Sequence, residues 1–411
     1  MKKISGTYAQ DLSIFGGTIM SKYHPQTQLI HEGLERSPFG ETAEALYLTS
    51  GFTYDNAEQA EARFKQEETG FLYSRFGNPT VRAFEERMIV LEGDGAQDAR
   101  ATATGMAAVT TALFSLVKTG DHVVAAQALF SSCRYVVETL LPRFGVECTL
   151  VDGRELSEWK SAMRPNTKVL FLETPSNPLL EICDMQAIAH LAHENDAKLV
   201  VDNVFATPIL QKPFAFGADV VVYSATKHID GQGRCLGGVI LGAADFIADD
   251  VGQFIRQTGP SLSPFNAWVM LKALETLSLR VQAHCDNAEA IVEFLATHKQ
   301  VERIYYPHDA SHPQHNLAMA QMSRGGSLIA FDVKGDKQKT FAIANALRLI
   351  LISNNLGDAK SLITHPATTT HSKLSQEARD ALSIKNGTLR LSVGLEHGDD
   401  IIADLDQALN G

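Results

Sequence analysis

The chain is poor in cysteine and in positive charge, and it has no long apolar run. Its five cysteines, Cys133, Cys148, Cys183, Cys235 and Cys285, are odd in number, scattered over 411 residues and never form a CxxC pair. That excludes a disulfide framework and a zinc site as organising devices, and a reducing cytoplasm is the simplest home. Lys+Arg total 36 against 48 Asp+Glu, a net charge of -12, and no extended basic run occurs. Nucleic acid and anionic membranes are therefore poor partners. No stretch reaches membrane-span length. Lys2 and Lys3 open the chain, but Gln10, Asp11 and Gly16 interrupt it before any apolar run attains signal-peptide length. The residues before Met20 are unpatterned, and MSKYHPQ makes a natural start after that extension. No GxGxxG follows an early strand, which argues against a nucleotide-binding α/β oxidoreductase. Internal repeats and low-complexity linkers are also lacking.

With 45% hydrophobic and 20% charged residues, the chain can bury a large core and divide into two domains. Residues 21–77 are irregular, with turn signals around one helical segment near 57–64. A segment so poorly self-sufficient reads as an arm that packs on something else, such as a second subunit. From Thr80 the style changes. Helical patterns at 80–91, 105–116, 135–144 and 185–194 alternate with strand-like runs at 98–103, 122–125, 147–151, 168–173, 198–202, 219–224 and 238–241. This alternation predicts a mostly parallel sheet with helices on both faces. A long helical stretch, about 267–296, leads to a remainder of α+β character with strands at 327–333 and 389–396 and a helix near 339–347. The expected division is an extension and arm over 1–75, a large α/β domain over 76–265 and a smaller C-terminal domain over 266–411.

Chemistry concentrates where buried strands end. The run VVVY stops at Ser224 and hands over to a polar loop that carries Lys227, a position where open α/β sheets place ligands. Flanked by Ser224, Thr226 and His228 rather than by charges, this lysine is partly desolvated. Desolvation lowers an amine's pKa toward its nucleophilic form, which suits covalent capture of an aldehyde. An ordinary surface lysine would look the same on this stretch alone. KLVVD ends in Asp202, which reads either as a structural acid or as the partner of a cofactor ring nitrogen. Pyridoxal phosphate needs such a pairing, because a charged ring is its electron sink. Thr104, Gly105 and Met106 open a helix whose free N–H groups favour an anion. Ser224 and Thr226 can add hydroxyl donors to the same phosphate, and Tyr73 and Arg75 in the arm offer a phenol and a guanidinium. Arg390, inside an apolar strand, needs an anionic partner, either a substrate carboxylate or a structural one.

YSRFGNPT (73–80), ATGMAA (103–108), ETPSNPLL (173–180), VVDNVFATP (200–208), SATKHIDGQGRCLGG (224–238), HPATTTH (365–371) and LRLSVGLE (389–396) together resemble the pyridoxal-phosphate enzymes of cysteine and methionine metabolism. The likeness covers nearly everything from about Thr27 onward. That family includes cystathionine γ-synthase, methionine γ-lyase and the homoserine-ester sulfhydrylases. The resemblance implies the aminotransferase-like fold (type I of the pyridoxal-phosphate enzymes) and a homotetramer built from dimers that share active sites. It further implies that Lys227 binds the cofactor covalently, Asp202 pairs the ring nitrogen, and Gly105, Met106, Ser224 and Thr226 hold the phosphate. Tyr73 and Arg75 would reach the neighbouring subunit's phosphate, with Tyr73 also serving catalysis. Asn177 would lie beside the phenolic oxygen, and Arg390 would bind the substrate α-carboxylate.

Three positions depart from common family patterns. Phe130 stands where many members stack a tyrosine, Asn355 where serine usually precedes Leu-Gly, and Ser132 where methionine γ-lyases often have cysteine. Asn355 is accordingly an expected contact to the substrate carboxylate or to Lys227. Phe130, GQGRCLGG and LSPFNAW are most similar to the branch of sulfhydrylases that takes a succinyl ester of homoserine. Small-molecule substrates are implied, with cystathionine γ-synthase, acetyl-ester sulfhydrylase and methionine γ-lyase activities as the alternatives. A catalytically silent cofactor-binding regulator is the alternative of another class, and Lys227 together with Asp202 argues against it.

Overall fold

A computed structural model describes residues 23–33 and 36–411. The extension before Met20 lies outside the described residues. Seven strands form the larger sheet: β1 (Asp98–Thr102), β2 (His122–Ala126), β3 (Glu147–Val151), β4 (Thr167–Glu173), β5 (Lys198–Asp202), β6 (Val220–Tyr223) and β7 (Gly238–Gly242). Their order is β1-β7-β6-β5-β4-β2-β3. Every neighbouring pair from β6 to β3 is parallel, whereas β7 runs antiparallel to both β6 and β1.

The central strands are apolar almost without interruption, as strands buried on both faces must be. Successive side chains go to opposite faces. Leu170, Leu172, Leu199, Val201 and Val221 enter one core, with Met88 and Leu91 of the helix Pro79–Glu92. Val169, Phe171, Val200, Val220 and Val222 enter the other, with Ala108, Val109 and Leu113 of the helix Gly105–Leu116. By the same alternation Glu173 and Asp202, which end β4 and β5 as register partners, point to this second face. The polar strand ends thus collect at one edge of the sheet.

The long helical stretch is two helices, Pro264–Leu274 and Leu277–Thr297, with the break at Glu275 and Thr276. Leu271, Leu274, Leu277, Val281 and Cys285 pack into the large core, while Ala288, Ile291, Val292 and Leu295 pack into the C-terminal one. Helix Leu277–Thr297 thus serves both cores, its first half the large one and its second half the C-terminal one. The C-terminal sheet has the order β10-β11-β12-β9-β8. Its strands are β8 (Val301–Tyr305), β9 (Leu328–Val333), β10 (Leu351–Ile352), β11 (Leu362–Thr364) and β12 (Thr388–Ser392). Helices Leu277–Thr297, Lys337–Ala346 and Gly398–Asn410 contribute to its core.

No helix among the described residues is long and apolar enough to cross a membrane.

Candidate active site

Lys227 follows β6 by four residues, in a loop whose closure is backed by side chains. Arg280 donates from Nη1 to the His228 carbonyl at 2.7 Å and from Nη2 to the Ile229 carbonyl at 3.2 Å. Gly231, at φ +68°, permits that approach, since a Cβ there would stand 1.9 Å from Arg280 Nη1. The buried His228 ring bonds Ser327 Oγ at 2.7 Å, and burial pushes its pKa down to about 3, so it stays neutral. The lysine carried by this clamped loop donates from Nζ to Asn355 Oδ1 at 2.5 Å. Burial, seconded by the positive charge of Arg390, lowers its pKa to about 8.

Arg390 sits on β12 and is 1% exposed. Its Nη1 donates to Asn177 Oδ1 at 2.9 Å, and its Nη2 donates to the carbonyls of Asn354 at 2.9 Å and Asn355 at 3.2 Å. Among the described residues its buried Nε has no hydrogen-bond partner. Burial lowers its pKa to about 10, with Glu173 acting in the opposite direction. Lys227, Asn355, Arg390 and Asn177 are therefore one continuous polar chain across both domains.

Asp202 is buried at the end of β5, and its Oδ1 accepts the Val204 N–H at 3.1 Å. Burial raises its pKa to about 7. Its register partner Glu173 is 1% exposed, and Oε2 accepts the Phe130 N–H at 2.8 Å. Burial and the charge of Asp202 hold the Glu173 pKa well above the ordinary carboxylate range. Phe130 packs against the same core as Met106, whose sulfur lies 3.8 Å from Cys133 Sγ.

The helix Gly105–Leu116 starts beside this cluster. Thr104 Oγ1 accepts the Ala107 N–H at 3.0 Å, leaving the first-turn N–H groups of Gly105 and Met106 outside the helical ladder. Gly105 lies so close to Ser224 that a Cβ would stand 2.5 Å from Ser224 Cβ and 2.6 Å from Oγ. Thr226 Oγ1 accepts the Gly237 N–H at 3.2 Å, tying the two ends of the lysine loop. Gly105 and Ser224 are thus in contact, with Met106 next in the chain to the one and Thr226 two residues beyond the other. Among the described residues no hydrogen bond joins Tyr73 or Arg75 to Ser224, Thr226, Gly105, Met106 or Lys227. Arg75 Nη1 donates to the Arg256 carbonyl, and the Phe76 ring centre lies 4.9 Å from the Arg75 guanidinium and 4.1 Å from that of Arg256. Tyr73 is 43% exposed on the arm.

Sequence reasoning missed Glu173, Arg280, Arg256 and the carbonyl of Asn354. Glu173 had the signal already used for Asp202, an acid ending an apolar strand. Main-chain carbonyls and a helical arginine carry no comparable mark.

A family model for Cys/Met metabolism PLP-dependent enzymes matches residues 26–410. A protein of Mycobacterium tuberculosis named O-succinylhomoserine sulfhydrylase is 53% identical over 93% of this chain and 94% of its own length. An L-methionine gamma-lyase of Fusobacterium nucleatum subsp. polymorphum is 43% identical over 94% of this chain and 98% of that protein. A solved structure of a putative O-acetylhomoserine (thiol)-lyase from Campylobacter jejuni superposes with a TM-score of 0.90 at 33% identity. It covers 95% of this chain and 100% of the other, and carries N′-pyridoxyl-lysine-5′-monophosphate. With its lysine, paired acids and helix start gathered at one sheet edge, the chain belongs to the Cys/Met metabolism PLP-dependent enzyme family.

Proposed function

We propose that the enzyme converts O-succinyl-L-homoserine and sulfide into L-homocysteine and succinate, a sulfhydrylation in methionine biosynthesis. The observation that carries this reading is the gradient of identity, 53% to a relative named for that reaction against 43% to one named as a methionine lyase.

The residues present fit pyridoxal phosphate. A lysine with a pKa of about 8, a buried carboxylate at a neighbouring strand end, and an arginine with an unpartnered buried Nε make up a donor set suited to an aldehyde, a ring nitrogen and a carboxylate. Lys227 would hold the aldehyde, Asp202 the ring nitrogen and Asn177 the phenolic oxygen, with Phe130 against the ring. Gly105, Met106, Ser224 and Thr226 would hold the phosphate. When bound, this group supplies an electron sink for the carbanions that let a γ-substituent leave.

The chain's own residues do the rest. Arg390 takes the substrate α-carboxylate at Nε, where it has a donor to spare, and thereby fixes which Cα proton faces Lys227. Lys227 Nζ, with a pKa of about 8, accepts that proton and can return it near neutral pH. Asn355 Oδ1 orients the amine. Succinate departs with the electron pair of the Cγ–O bond, and hydrosulfide forms the new Cγ–S bond. A carboxylate leaves without strong acid assistance, so the phenyl ring of Phe130 is chemically sufficient at its position.

We further read the enzyme as a cytoplasmic homotetramer of dimers in which Tyr73, in catalysis and phosphate binding, and Arg75 serve the neighbouring subunit. Supporting this are the lack of any hydrogen bond between either residue and Lys227 among the described residues and the exposure of Phe39 at 95%, Leu48 at 66% and Leu236 at 55%. The test is a product assay with cofactor, sulfide and the succinyl ester, alongside the acetyl ester, cysteine and methionine. Homocysteine made preferentially from the succinyl ester is the expected result. Cystathionine as main product, preference for the acetyl ester, or 2-oxobutyrate from methionine would each replace it with the corresponding sister activity.

A further inference from the structure

Glu173 and Asp202 end adjacent parallel strands, in register, on the same face of the sheet. Both are buried, at 1% and 7% exposure. The cation acting on Glu173 is Arg390, whose guanidinium is already engaged by Asn177, Asn354 and Asn355. Of the other titratable groups that feel the pair's charge, the Cys133 thiol lies on the same face of the sheet, and the Cys183 thiol and Tyr223 phenol lie in the core across it. Burial, reinforced by the acidic charges around them, keeps all three protonated. Among the described residues Arg390 is the one cation acting on the pair, so in the free protein two negative charges would share it. Two buried carboxylates side by side do not both ionise.

Burial and one orphaned oxygen say which one gives way. Asp202 Oδ1 accepts a main-chain N–H, and Asp202 is the more exposed of the two. The main-chain N–H groups of Phe130 and Asn177 both act on the Glu173 carboxyl, the first through a 2.8 Å bond to Oε2, but Oε1 is buried with no hydrogen bond of full geometry among the described residues. An anionic oxygen in that position would be desolvated beside a second buried acid, whereas a neutral carboxyl there costs far less.

We propose that Glu173 is a neutral carboxylic acid in the working enzyme, a positioning residue that leaves Asp202 as the sole carboxylate facing the ring nitrogen and fixes Phe130 through its main-chain N–H. This rests on the reading of Asp202 given above. It joins the ring's counter-charge and its stacking partner through one side chain.

The experiment is infrared difference spectroscopy on the holoenzyme at neutral pH, wild type minus E173Q, with E173D as a second assignment. A protonated-carboxyl carbonyl band present in the wild type, lost in E173Q and shifted in E173D is the expected result. In parallel, the bound cofactor's visible absorption is titrated with pH. Since Gln is a neutral isostere, the midpoint in E173Q should stay within about 0.3 unit of wild type. E173A, lacking the acceptor for Phe130, should lose cofactor about tenfold more readily. Absence of the band, or a midpoint lowered by about one unit in E173Q, overturns the proposal, because an ionised Glu173 would have been stabilising the protonated form. A D202N variant with unchanged cofactor absorption overturns the reading of Asp202, and with it the division of labour proposed here, while the infrared result on Glu173 stands by itself.

Discussion

Lys227 carries the most direct prediction about a single residue. Its amine becomes a free nucleophile as pH rises through about 8. The rate at which apoprotein captures pyridoxal phosphate should therefore rise through that pH and level off, where a solvated lysine would keep accelerating toward its ordinary pKa of about 10.4. Stopped-flow absorbance across pH 6 to 10 measures this. An F130Y variant should turn over the succinyl ester within about threefold of wild type, since the leaving group needs little acid assistance. A sharp rise in turnover would count against the role given to the ester. Both residues were legible because the signal was local: a lysine just past a valine run, and an aromatic residue at a family motif position. The partner of Arg390 on the small domain was not legible, because Asn354 contributes a main-chain carbonyl, which every residue type has.

Strand β6 and the helix Pro79–Glu92 are joined beneath the sheet by Tyr223, whose hydroxyl donates to Glu92 Oε2 at 2.5 Å and accepts from Asn203 Nδ2 at 2.7 Å. Gln211 extends the chain, donating to Asn203 Oδ1 and to the Thr174 carbonyl, both at 2.8 Å. Burial raises the Glu92 pKa to about 7, although Tyr223 and Lys212 oppose the rise. A carboxyl whose folded pKa lies above its unfolded one binds its proton more tightly in the folded state. Its stabilisation is complete below about pH 4.5 and fades as pH climbs through about 7. Thermal melts from pH 4.5 to 8 should show this decline, an effect of up to about 3 kcal/mol, and E92Q should flatten it. Element types were legible where periodicity was clean. Gly105–Leu116, Glu147–Val151, Met185–Glu194 and Lys198–Asp202 have the bounds their patterns predict. The helix expected from residue 135 instead starts at Ser131 and runs to Arg143, past Pro142, as three segments in two geometries, a π-helical stretch Val136–Leu140 between two α-helical ones. The C-terminal sheet was harder, because β10 is two residues long and β8 is exposed over much of its length.

Across the whole molecule, the arm is pinned to the large domain by a buried charge. Arg87 is fully buried and pairs with Glu44 from the arm, and it also donates to the Glu32 carbonyl at 2.8 Å and the Ile30 carbonyl at 3.2 Å. Lys272 and Glu275, from the far side of the chain, complete the network. Removing Glu44 leaves the buried guanidinium with Glu275 as its remaining ion-pair partner among the described residues and the Glu32 carboxylate acting from nearby, so E44A should cost about 3 kcal/mol of stability. Limited proteolysis should then cut the arm faster than in wild type, and an unchanged rate would mean that the carbonyl contacts suffice. The sequence marked this segment as an arm through its irregular pattern, yet Glu44 and Arg87 are 43 positions apart and nothing local announces their pairing. The hold on Arg390 has a consequence of another kind. Asn354 grips it through the main chain while its own side chain faces solvent. The anchor for the amino-acid end of a substrate is thus independent of the letter written at position 354. A lineage under selection for a different acyl group or thiol, or a laboratory library with the same aim, can vary that letter freely and still inherit the anchor.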